Sequence, residues 1–322
     1  MCYSARVWAD YRLYVKKYGA RIDIHEFVRL LELRAQGEKI VIAKAVTDVF
    51  KLDPQSAEER HCRDLVLRYE SEEAHRLQEK LFQQRQRLAD AERTLETKTT
   101  KKATNDRRIA TTLIASLKEK LEALEEPPRS DTLARVFPGG YCLVMTMDKS
   151  GDYLVSPMRY LCRPSGKPAF FDEKYPGCYN ARQDNLTGYW KEQFGSTHAI
   201  VVASAFFENV KRHRLEGREL ADGEEPENVI LQFNPGDGQL MQIASLWSRW
   251  TAPGKDDLLS FAAITTDPPA EVSQTGHDRC PIPLKDVNVA NWLAVQQSDL
   301  QNYQAMLEDR ERPYYEHRLL AA

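Results

Sequence analysis

No run of about 18 apolar residues occurs in this 322-residue chain, and its first residues, MCYSARVWADYRLY, lack the apolar core of a secretory leader. No membrane span is therefore expected, and the cytosol is the expected compartment. Cys-x-x-Cys pairs are also absent. The six cysteines stand at 2, 62, 142, 162, 178 and 280, a spacing that fits neither a disulfide framework nor a structural zinc site, and no cofactor is expected. An excess of one charge is missing too: 45 Lys and Arg face 48 Asp and Glu, a net charge of −3, so binding of nucleic acid would require a locally basic cleft. With 42% hydrophobic and 29% charged residues, wholly disordered and fibrous classes are excluded.

Glycine is absent between Gly37 and Gly139, where proline occurs at Pro54, Pro127, Pro128 and Pro138. Such a stretch favours helix. From Gln55 to Pro128, 15 basic and 15 acidic residues interleave. Ala74, Leu77, Leu81, Leu88, Ala91 and Leu95 fall on one face at heptad-like spacing, and Ala110, Leu113, Leu117, Leu121 and Leu124 repeat it. Between the two sets, TKTTKKATND (97–106) reads as a turn. The pattern predicts an antiparallel helical hairpin, either a solvated insertion or an arm for a protein partner, DNA or a second copy of the chain. Before it, IDIHEFVRLLELRAQ predicts one amphipathic helix with Ile24, Phe27, Leu30 and Leu31 on its stripe.

After Pro128 the texture changes to short apolar runs, YCLVMTM, HAIVVASAFFE, NVILQF, LMQIASLW and LLSFAAITT, which read as strands. Few long helices intervene, so an α+β fold with a mixed or antiparallel, barrel-like sheet is expected rather than repeated βαβ units. The end of the chain, from NWLAVQQSDLQNYQAMLEDRE, reads as a helix and a tail.

Cys2 follows the initiator methionine. Removal of Met1 would leave a thiol and an α-amine on adjacent carbons, and this 1,2-aminothiol suits two chemistries: acyl transfer by an N-terminal nucleophile, or condensation with an aldehyde to a thiazolidine. Three later segments carry polar residues among apolar ones. GCYNARQDN (177–185) sets Asn180 and Arg182 two apart; AIVVASAFFEN (199–209) ends a strand on Glu208; TGHDRCPIPL (275–284) offers His277, Asp278 and Arg279.

Cys2, YNAR (179–182), FFE (206–208) and HDRCP (277–281), in this order, resemble the SRAP family of SOS response-associated peptidases, or abasic-site processing proteins. VFPGG (136–140), the ITT strand end (264–266) and LQFNPGDGQLMQIASLW (231–247) align in kind. The resemblance implies a sensor that crosslinks covalently to abasic sites in single-stranded DNA through a thiazolidine on Cys2. Peptidase activity is implied as self-processing that exposes Cys2. Asn180 would orient the sugar or the N-terminus, Glu208 would hold the amine and move protons with its pKa raised by burial, and His277 would act as general acid. Arg182 and Arg279 would bind flanking phosphates.

The sequence departs from the family pattern at Tyr3 and Ser4, where Gly-Arg is usual, and at Asn209, where Trp is common. Base stacking would then fall to Tyr160, Phe170, Phe171 or Tyr175. The expected organisation is an N-terminal part of the domain (1–54), a hairpin insertion (55–128), a main catalytic part (129–295) and a C-terminal helix and tail (296–322). Two further readings stay open from the residues alone: a cysteine amidohydrolase, and an inert scaffold acting through its hairpin.

Overall fold

The computed structural model describes residues 4–127, 133–236, 238–295 and 299–320. The chain forms two units, one from residues 1–27, 40–46 and 130–322 and the other from 28–39 and 47–129.

The first unit is built on one sheet, with thirteen strands among the described residues: β1 (Ser4–Trp8), β2 (Arg21–Ile22), β3 (Leu133–Val136), β4 (Tyr141–Met147), β5 (Tyr153–Tyr160), β6 (Asn180–Arg182), β7 (His198–Lys211), β8 (Asn228–Pro235), β9 (Met241–Trp250), β10 (Leu258–Thr266), β11 (Cys280–Pro281), β12 (Pro283–Leu284) and β13 (Tyr315–Leu319). Pairing runs β9, β10, β5, β4, β7 and back to β9, a closed ring of five strands in which β10 and β5 alone run parallel. The α+β class and the mixed sheet agree with the expectation.

The long strand β7 joins two parts of the sheet. Its first half, His198–Ala203, pairs with β9, and its second half, Phe206–Lys211, pairs with β8. The opposite edge takes β1, with Ser4 opposite Phe207 and Val7 opposite Ala203, across a register shift between Arg6 and Val7. Ala199, Val201, Ala203 and Phe206 point into a core shared with Val7, Phe233, Ile243 and Phe261. Continuous apolar sequence on β7 thus reflects burial on both faces.

β5 contains Pro157, which reads against a central strand because proline cannot donate to a ladder. One edge of β5 pairs with β4 throughout. On the other edge β2 pairs at Leu154 and Val155 and β10 at Arg159 and Tyr160, so Pro157 falls in the gap between two partners. The tail differs from expectation as well. Helices Val289–Leu293 and Leu300–Glu308 are followed by β13, which adds to β8 and buries Tyr315.

The second unit contains two long helices. Helix α1 (Tyr11–Tyr18) belongs to the first unit, and α2 (Ile24–Ala35) and α3 (Lys44–Leu52) run from one unit into the other; α4 (Ala57–Thr97) and α5 (Lys101–Glu125) form the hairpin. A capping box of Ser56 and Glu59 starts α4. The turn is shorter than the Thr-rich sequence implies, because Thr100 accepts from the amide of Ala103 and starts α5 inside the expected loop. Leu77, Leu117 and Leu121 pack together with Ala74, Leu81 and Leu124, and Arg87 pairs with Asp106 at 2.5 Å. Leu113 is exposed, off the buried face. At the base, Arg34 lies over Tyr69 at 3.9 Å and Lys51 bridges Asp48 and Glu70.

Candidate active site

The segments that carry polar residues in the sequence meet around the end of β10. β6, which is the Asn-Ala-Arg segment, runs parallel along one edge, with Asn180 opposite Ala263 and Arg182 opposite Thr265. β11, the end of HDRCP, runs antiparallel along the other, with Pro281 opposite Thr265. Ile264–Thr266 therefore separates the two motifs. Thr265 is flanked by neighbours on both edges and buried.

His277 lies in the loop before β11. Its Nε2 is 3.0 Å from Oε2 of Glu208, and Glu208, on β7, is 1% exposed. A contact of that length between two acceptor-capable atoms requires a shared proton. The other ring nitrogen faces the backbone of Arg279, with the carbonyl at 3.0 Å and the amide at 3.2 Å. With Nδ1–H donating to the Arg279 carbonyl, the ring can give up or regain a proton at Nε2 without turning.

Asn180 is buried, and its Oδ1 accepts from the hydroxyl of Tyr160 at 3.2 Å. Tyr160 in turn stacks on Phe261 with ring centroids 5.1 Å apart. The sequence suggests Tyr160 as a base-stacking platform, and Phe171 likewise. Both are buried, at 3% and 6% exposure, and neither presents a free face. Tyr160 is covered by Phe261 on β10, far away in sequence, which local pattern does not show, whereas Phe171 packs against nearby Tyr175. Phe170 and Tyr175 are exposed, as is Tyr189, which no sequence signal singles out.

The two arginines differ in setting. Arg182 is half exposed and makes a two-point contact with Asp184, at 3.0 and 2.6 Å, which raises the guanidinium's pKa and holds the carboxyl below its usual range. Arg279 is buried and meets Asp267 at 3.4 Å and Asp278 at 3.9 Å, both well exposed. Arg279 lines a cleft of about 420 Å³ whose walls also carry Asp184, Asp267 and Glu308. Sequence reasoning misses these carboxylates, although the Arg-Gln-Asp order at 182–184 signals the first pair. Cys2 lies outside the described residues. Among the described residues no group of His, Cys, Asp or Glu gathers as a metal site, and no helix is long and apolar enough to cross a membrane.

The family model for SOS response associated peptidase (SRAP) matches residues 95–319. The chain belongs to the SRAP family. Asn180, Arg182, Glu208, His277 and Arg279 all fall within the SRAP match. The chain is 26% identical over 131 residues to the abasic site processing protein YoqW of Bacillus subtilis strain 168, and equally to the protein of that name from Bacillus phage SPbeta. The matched segment is 40% of this chain and 53% of each relative, so the chain spans about half the length of the curated relatives it matches. Two solved structures are similar to this SRAP chain. One, from Bordetella bronchiseptica, has 19% identity and a TM-score of 0.45, covering 59% of this chain and 88% of that one. The other, from Bacteroides thetaiotaomicron, has 15% identity and a TM-score of 0.43, covering 58% and 77%.

Proposed function

We propose that this SRAP protein captures abasic sites in single-stranded DNA as a covalent thiazolidine on Cys2, after removal of Met1 by self-processing. The Cys2 α-amine adds to the C1′ aldehyde of the ring-opened sugar, and loss of water gives an imine. The thiol then gives up its proton to the imine nitrogen as sulfur bonds to the same carbon, which closes the five-membered ring. Glu208 accepts the proton released by the attacking amine and returns it at the dehydration step. During ring opening His277 donates to the ring oxygen while the C1′ hydroxyl gives its proton to Glu208, which passes it back to His277. Asn180, held by Tyr160, orients the sugar or the N-terminus, and Arg182 and Arg279 engage phosphates.

The observation that carries this reading is the hydrogen-bonded pair of His277 and Glu208 beside the start of β1. Ser4 pairs with Phe207, the neighbour of Glu208, and Cys2 is two residues from Ser4, a chain length of about 7 Å at most. A buried acid-base pair within reach of an amine and a thiol is the apparatus that imine formation and closure require. Relatives named as abasic site processing proteins support the substrate. The test is incubation with a single-stranded oligonucleotide carrying one abasic site, followed by denaturing electrophoresis. An adduct lost in Cys2→Ala is expected; no adduct from wild-type protein lacking Met1 refutes the reading.

A further inference from the structure

Among the described residues β1 begins at Ser4, and the two strands beside it do not hold that residue equally. β7 pairs with Ser4 through Phe207, whereas β3 pairs along Ala5–Trp8, with its last partner, Val136, opposite Ala5. The backbone ladder therefore grips Ser4 on one edge only. A side chain supplies a second hold. Arg135 on β3 is opposite Arg6, which makes Ser4 its diagonal neighbour on the same face of the sheet. Its Nε donates to Oγ of Ser4 at 3.0 Å, and Ser4 is fully buried. The guanidinium carbon of Arg135 lies 3.9 Å from the ring centroid of Phe207 and 4.7 Å from that of Phe137.

Two aromatic rings attract the cation and limit its rotamers, so the Nε donor is aimed at Ser4 before any substrate arrives. Phe207 is at once the ladder partner of Ser4 and the chain neighbour of Glu208. One guanidinium thus contacts both the first described residue of β1 and the part of β7 that carries the buried acid. Cys2 is two residues before Ser4, about 7 Å of chain at most. Freedom at Ser4 is passed on to the N-terminal amine. Backbone freedom left at this point would have to be given up at the moment of reaction, and a reactant that must find its position reacts more slowly than one already in place.

We propose that Arg135 is a positioning residue for capture: by holding Ser4 against Phe207 it sets the N-terminal residue beside Glu208. The role rests on the abasic-site reading, and it requires no contact between Arg135 and DNA. Single-turnover adduct formation is measured over a range of abasic oligonucleotide concentrations for the wild type, Ser4→Ala, Arg135→Met and the double variant, each with Met1 removed. Arg135→Met keeps an apolar stem between the two rings and loses the donor, and Ser4→Ala loses the acceptor. Each is expected to lower the maximal rate about tenfold and to leave the half-saturating oligonucleotide concentration unchanged. Because both remove the same bond, the double variant should match the slower single variant. Arg135→Lys, which keeps a donor and a cation, should recover most of the rate. Hydrogen exchange at the amides of β1 should quicken in the same variants, a reading of the hold on Ser4 that needs no adduct. Should Arg135→Met melt early, Ser4→Ala, which removes one oxygen atom, carries the comparison alone. Wild-type maximal rates in folded variants, a loss confined to the half-saturating concentration, or multiplicative losses in the double variant would overturn this role and leave the capture reading standing. No adduct from the wild type would refute the capture reading, and this role with it.

Discussion

Nε2 of His277 and Oε2 of Glu208 stand 3.0 Å apart, although the residues are far apart in sequence and belong to different elements. Both side chains are largely buried, at 9% and 1% exposure, so the pair is placed to exchange a proton with a bound reactant. Glu208→Gln preserves the shape and removes the base, so the rate of adduct formation is expected to fall by about 10²- to 10⁴-fold. His277→Ala should act in the same range. Because the two form one unit, the double variant should be only slightly slower than the worse single variant. Single-turnover rates with abasic oligonucleotide check this; multiplicative losses would show independent roles.

Asp184 occupies the fork of Arg182 at two points. A phosphate must displace that carboxylate before Arg182 can bind it. Asp184→Asn is therefore expected to tighten binding of single-stranded DNA by about three- to tenfold at low salt. Anisotropy titration reads the change, and weaker binding by the variant would place Asp184 in support of the DNA contact.

Acid should destabilise the first unit through His198. The ring is 1% exposed and stacks on Trp292 at 3.8 Å; Nδ1 donates to the Trp292 carbonyl and Nε2 accepts from the amide of Gly195. Burial pushes its pKa down from 6.5 to about 4, against the opposing effect of the Trp292 carbonyl. Between those values the unfolded chain binds a proton that the native chain does not. Stability is thus fully present above pH 6.5 and declines toward pH 4, by on the order of 3 kcal/mol. Melting temperature against pH should show this slope, and His198→Gln should flatten it.

The hairpin can be shortened at a place the packing marks. Leu77 and Leu117 belong to one buried cluster, so replacing residues 79–115 with a short glycine-containing turn removes the tip and keeps the base. Adduct formation with a short oligonucleotide is expected at the wild-type rate. Removing residues 58–126 altogether also strips out buried Cys62, Leu65 and Val66, and should lower the melting temperature. Loss of adduct in the folded, shortened protein would make the tip part of the site.

Much of this arrangement is legible in the sequence. The strands at 141–147, 198–211, 228–235 and 258–266 follow from apolar runs, and the hairpin follows from a long glycine-free heptad pattern. Pairing of Glu208 with His277 is implied by no local signal, since it depends on β7 and the loop before β11 converging. β5 is obscured by Pro157, whose missing donor is harmless in a gap between β2 and β10. Tyr160 is legible as an aromatic near the site, but its task of holding Asn180 requires knowing that β6 continues along β10 where β5 leaves off.

The most direct test joins Cys2 to that pair. Protein with Met1 removed is mixed with a single-stranded oligonucleotide bearing one abasic site, and the adduct is digested and analysed by mass spectrometry. The account predicts a sugar remnant on the N-terminal residue with the mass of aldehyde plus protein less one water, absent in Cys2→Ala. An adduct on any other residue, or none from the wild-type protein, would contradict it.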